Sequence, residues 1–62
     1  MTIGEKIKSK RHSKNMTQTE IALHAGVSLP TIVKAEKDRD IAIRVLKKIC
    51  DCLDLVLVVE DK

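Results

Sequence analysis

The sequence contains no phenylalanine, tryptophan or tyrosine. Proteins that grip single-stranded nucleic acid stack its bases on aromatic rings, so this composition argues against that mode of binding. Glycine occurs twice and proline once, which leaves neither a glycine-rich loop for a phosphate nor a flexible linker. No run of about 18 apolar residues is present, so no membrane span is expected. The first residues show no apolar signal region, and a cytoplasmic protein is the expectation. Cysteine is also scarce: Cys50 and Cys52 stand two positions apart in a segment that reads as helix. Side chains at that spacing point away from each other, so structural or neutral thiols are expected rather than a disulfide. Together with His12 and His24 they match no familiar ligand spacing, and neither a metal nor a cofactor is expected. The two histidines read as surface or partly buried packing residues. Catalytic constellations of the Ser-His-Asp or Cys-His kind are missing, and 62 residues are too few to enclose a substrate pocket. An enzyme is not expected.

What the chain does have is enough apolar character to fold. At 44% hydrophobic residues it is globular rather than disordered. Its length makes one small domain that buries only about 60% of its unfolded surface and gains from oligomerisation. Charge is divided unevenly. Residues 1–48 hold 11 basic against 5 acidic side chains, a net +6, whereas residues 49–62 hold 1 against 4, a net −3. A basic body suits a polyanionic partner, and a solvated basic face is the alternative.

Local signals mark the helices. Thr2-Ile3-Gly4-Glu5 fits a capping box and predicts a first helix over 3–14 with Ile3 and Ile7 inward. Thr17-Gln18-Thr19-Glu20 repeats the box, and Met16 with Ile21 adds a hydrophobic staple. Gly26 predicts a sharp exit from this second helix. Ser28 then caps a third, with Val27 and Ile32 as a second staple and Pro30 in the first turn, where its missing N–H costs little. This helix is expected to run to about Lys37 and to stop in the polar loop Lys37-Asp38-Arg39-Asp40. Two helices joined so tightly must cross steeply, which is helix-turn-helix geometry. A fourth helix is predicted over 42–53, with Ile43, Leu46, Ile49 and Leu53 on one stripe. The run Leu55-Val56-Leu57-Val58-Val59 reads as a strand. One chain offers it no partner, so pairing with the same strand of a second subunit is expected.

The stretch QTEIALHAGVSLPTIVKAE, residues 18–36, resembles the helix-turn-helix of the Cro and phage-repressor superfamily, the XRE family. Gln18, Ile21-Ala22, Gly26-Val27-Ser28, Ile32 and Glu36 carry the resemblance, which extends over about four-fifths of the chain. It implies an all-α, lambda-repressor-like four-helix DNA-binding domain over 1–54, with 55–62 as a C-terminal β-strand pairing across a dimer. It further implies an ion pair between Arg11 and Glu36. A fifth helix, usual in the family, is replaced by the terminal run. In this the chain is similar to the HipB-type antitoxins, which implies a kinase-type toxin as a second partner.

The resemblance implies a bacterial or phage-encoded transcriptional repressor that binds operator DNA as a homodimer. The start of the third helix enters the major groove while the second lies across the phosphates. Residues carried over to the interface are Gln18, Ser28, Leu29, Pro30, Thr31, Val33, Lys34 and Lys37. Lys34 is the foremost candidate for a base contact, to guanine O6 or N7, and Leu29, Pro30 and Val33 suit thymine methyls. Thr17, Gln18, Ser28, Lys37 and Arg39 are expected on phosphates. A dimer would then neutralise roughly 6 to 10 of them and bind with steep salt dependence. Structured RNA is the remaining alternative on charge, with no motif in its favour.

Overall fold

The computed structural model describes residues 2–56. It forms four helices: α1 (Ile3–Ser13), α2 (Gln18–Ala25), α3 (Leu29–Glu36) and α4 (Ile43–Cys52). Each begins where local chemistry leaves little choice. Both threonine boxes close reciprocally: the Thr2 and Thr17 hydroxyls accept from the Glu5 and Glu20 amides, and those glutamates accept from the threonine amides. Ser28 caps α3 alone, with Pro30 in the first turn. Ala42 precedes α4 with no capping side chain.

The helix ends share one construction. Asn15, Gly26, Asp38 and Asp54 all have φ between 56° and 69°. At each, the following residue's amide reaches back to a carbonyl five positions earlier: Met16 to Arg11 at 3.0 Å, Val27 to Ala22 at 3.0 Å, Arg39 to Lys34 at 2.9 Å and Leu55 to Cys50 at 2.8 Å. These are Schellman closures, which satisfy carbonyls that a helix end would leave orphaned. Glycine is the usual residue there. Asparagine and aspartate are the side chains that tolerate the left-handed region best, and three of the four ends use them.

The core takes one fully buried isoleucine from each helix, Ile7, Ile21, Ile32 and Ile49, together with Leu53 and the thiol of Cys50. Burying each such side chain is worth about 1.5–3 kcal/mol. Ala22 and Ala35, also buried, let neighbouring backbones approach. α3 packs between α1 and α2, and α4 packs on the other side of α2. Burial pushes the Cys50 thiol pKa upward, so it stays protonated and behaves as a small apolar group. Gly4 is where α1 meets the end of α3. A Cβ there would lie 2.7 Å from both the Ala35 and Glu36 carbonyl oxygens.

Several boundaries and one face differ from the sequence expectation. The first and third helices each end a residue early, because Lys14 and Lys37 serve as C-caps before a left-handed residue. Ile43, expected on the inward stripe, is 55% exposed. It opens α4, and Ile41, just before the helix, packs against the core instead. Leu55 and Val56 adopt no regular secondary structure; a strand needs a ladder partner, and one chain supplies none. The rest of the expected strand, Leu57, Val58 and Val59, lies outside the described residues.

Candidate nucleic-acid interface

The α2–turn–α3 unit is fixed from three sides. Ile21 and Ala22 bury one face of α2 while Ile32 and Ala35 bury the facing side of α3. Gly26, at φ 69° and ψ 35°, reverses the chain with nothing within 4 Å of where a side chain would project. Val27 is half-buried against the core. The chain therefore leaves α2 and starts α3 within three residues, and α3 is left with an outward face.

That face follows from helical spacing. Pro30, Lys34 and Lys37 stand at i, i+4 and i+7, and all three are exposed. Thr31 and Val33 flank this stripe and are half-buried, and Leu29 is 42% exposed at its beginning. Ser28 is exposed, and its hydroxyl lies 2.8 Å from that of Thr31 while accepting the Thr31 amide at 3.4 Å. Arg39 is exposed in the loop beyond α3. Thr17 is exposed at the start of α2, its oxygen already accepting the Glu20 amide at 3.1 Å. The side chains expected on a duplex from Ser28 to Arg39 thus come from one helix and its two ends, and the exposed charges among them are all cationic.

The acid of α3 is turned away from this face. Glu36 accepts from Arg11 at 2.7 Å through Nε and at 3.2 Å through a second guanidinium nitrogen. The two side chains are 5% and 8% exposed. Arg11 also donates to the Met16 carbonyl at 2.9 Å, so one guanidinium joins α1, the α1–α2 turn and α3. Gln18 adds a third donor to the same carboxylate, its Nε2 lying 3.2 Å from Glu36 Oε1. From sequence, Gln18 is expected on a phosphate only; its tie to Glu36 orients the side chain at the start of α2 and leaves its carbonyl oxygen and second amide hydrogen available.

Asp38 is the structural residue that sequence reasoning missed. Its Oδ1 accepts the Gly4 amide at 2.9 Å and its Oδ2 accepts the Thr2 hydroxyl at 2.6 Å. These two bonds hold its carboxyl below the ordinary range, the Thr2 hydroxyl contributing most. Nothing in a polar loop segment signals a partner 34 positions away; only the lone glycine in the first turn of α1 hints at a close approach. His12 and His24 are both exposed. Of the residues expected at a dimer contact, Leu55 is half-buried and Val56 is 85% exposed, and Leu57, Val58 and Val59 fall outside the described residues. Among the described residues no helix is long and apolar enough to cross a membrane.

Residues 7–57 match the family described as helix-turn-helix. No curated protein matches the chain.

Proposed function

Since the chain belongs to the helix-turn-helix family, in its Cro and phage-repressor form, and is a DNA-binding transcription regulator, we propose that it is a sequence-specific repressor acting as a homodimer on operator DNA. The observation that carries this reading is the outward face of α3: Pro30, Lys34 and Lys37 in one stripe, flanked by Thr31 and Val33, with the helix's one acid drawn off by Arg11 and Gln18. A helix so presented fits a major groove about 12 Å wide, and its cations meet phosphates without a nearby carboxylate to oppose them.

In this reading Lys34 reads a base edge and the apolar flank of Leu29, Pro30 and Val33 meets thymine methyls. Ser28, Thr31, Thr17 and Gln18 bond phosphates through hydroxyl and amide groups, and Lys37 and Arg39 add charge. Arg11 and Glu36 touch no DNA; they set the angle between α1 and α3. The protein performs no chemistry in this account and needs no metal or cofactor. The apolar run Leu55–Val59 supports the dimer, because a lone apolar strand would expose an unpaired edge. The same run supports the second reading, an antitoxin that also binds a kinase-type toxin; co-purification of a larger protein with the tagged chain tests it.

Selection from a random duplex pool, followed by titration of variants, tests the division of roles. Lys34→Ala is expected to change which sequences are selected. Arg39→Ala is expected to weaken all duplexes alike and to lower the slope of log K against log salt by about 1 for each phosphate no longer neutralised. Equal effects of the two substitutions on every duplex would remove Lys34 from base reading.

A further inference from the structure

We propose that Asp38 is a positioning residue for DNA binding: clasped to the first turn of α1, it fixes the α3–α4 loop so that Lys37 and Arg39 face phosphate unpaired. This rests on the reading above, in which those two cations meet the duplex.

The geometry makes the clasp specific. Asp38 follows the C-cap of α3 and sits at φ 57°. Its carboxylate is spent on the Gly4 amide at 2.9 Å and the Thr2 hydroxyl at 2.6 Å, in the place an anion would take at a helix N-terminus. Gly4 is what lets α1 come close enough, since any Cβ there would meet the Ala35 and Glu36 carbonyl oxygens and Asp38 Oδ1 at 2.7–2.8 Å. The Schellman closure, Arg39 amide to Lys34 carbonyl at 2.9 Å, ties the next residue to α3. Position 38 therefore has both its backbone and its side chain committed, and the residues on either side, Lys37 and Arg39, are exposed.

The sequence order Lys37-Asp38-Arg39 shows why the commitment matters. An aspartate between two cations in a free loop would pair with them and place a negative charge beside the phosphates. Held against α1, the same charge satisfies a helix N-terminus and leaves both cations open.

This predicts an effect opposite in sign to simple electrostatics. Removing an acid next to a DNA-binding face ordinarily tightens binding to any duplex. Asp38→Gly, in which glycine suits the left-handed backbone, is expected to weaken binding several-fold instead and to lower the salt slope by about 1. The probe is a mixed-sequence duplex of about 30 base pairs, long enough for half-sites one helical turn apart, titrated from about 50 to 200 mM salt. Thr2→Ala keeps the acid and loosens the clasp, so it should weaken binding in the same direction, and circular dichroism should show both variants folded. If Asp38 acts through Arg39, then adding Asp38→Gly to Arg39→Ala should cost less than Asp38→Gly alone. Tighter or unchanged binding by Asp38→Gly, or full additivity with Arg39→Ala, overturns the proposal. If Lys37→Ala and Arg39→Ala themselves leave binding and slope unchanged, the assignment of these cations to phosphate fails, and this inference fails with it while Lys34 keeps its role.

Discussion

Glu36 shows how much can depend on one side chain in a chain of this size. It receives hydrogen bonds from Arg11 and Gln18 in a setting where Arg11 is 7% exposed. Glu36→Ala would strand that guanidinium without its counter-charge, and breaking such a pair typically costs about 3–5 kcal/mol. A domain of this length has only about 3–9 kcal/mol in all, so urea denaturation is expected to show a protein near or past its unfolding midpoint in water. Glu36→Gln keeps acceptor oxygens and should lose less. A cost below about 1 kcal/mol for the alanine variant would mean that Arg11 rehydrates freely. None of this geometry follows from residue spacing, because Arg11 and Glu36 are 25 positions apart. The resemblance to a known family pointed to the pair, and nothing pointed to Gln18 as its third member. Gly4 and Asp38 escaped notice for the same reason: their chemistry is read only once α1 and α3 are brought together.

At the scale of elements, helix beginnings were legible and helix endings were only partly so. A capping box lies within four residues, so Thr2 with Glu5 and Thr17 with Glu20 announce themselves in the sequence. A left-handed terminator is obvious when it is Gly26 and inconspicuous when it is Asn15, Asp38 or Asp54. Ile43 misled the stripe on α4 because helical periodicity gives a direction but not how far the facing helix extends. Two substitutions test this account of the ends with opposite signs. Gly26→Ala places a Cβ on a left-handed residue with no neighbour to relieve or repay it, and should destabilise by about 1–2 kcal/mol. Ala42→Ser supplies α4 with its missing cap at an extended residue, φ −61° and ψ 141°, and should stabilise by about 1 kcal/mol. For a domain this small that raises Tm by about 4–8 °C. A thermal melt unchanged by Ala42→Ser would show that water already satisfies the α4 amides.

For the whole molecule, two measurements bear on how it holds together. The carboxyls of Glu5, Glu20 and Asp38 are each lowered by bonds at helix N-termini, chiefly the Thr2 amide, the Thr17 amide and the Thr2 hydroxyl respectively. Asp54 is lowered by its bond to Lys14 at 3.0 Å. A carboxyl whose pKa is lower folded than unfolded adds stability above its unfolded value and loses it as pH falls through the folded one. Stability should therefore hold at neutral pH and decline as pH drops below the ordinary values of 4.5 for Glu5 and Glu20 and 3.8 for Asp38 and Asp54. Thermal melts from neutral pH downward check this, and Glu20→Gln should flatten the decline. The second measurement is sedimentation of the chain lacking residues 57–62: on the homodimer reading it should run as a monomer, and a dimer of unchanged mass would move the contact elsewhere. The tie between Arg11, Gln18 and Glu36 reaches further than stability. Because Glu36 serves an arginine on one helix and a glutamine on the next, no lineage can change it alone without two orphans. Alignments of descendants of this sequence should show the three columns mutating together, or none of them drifting at all.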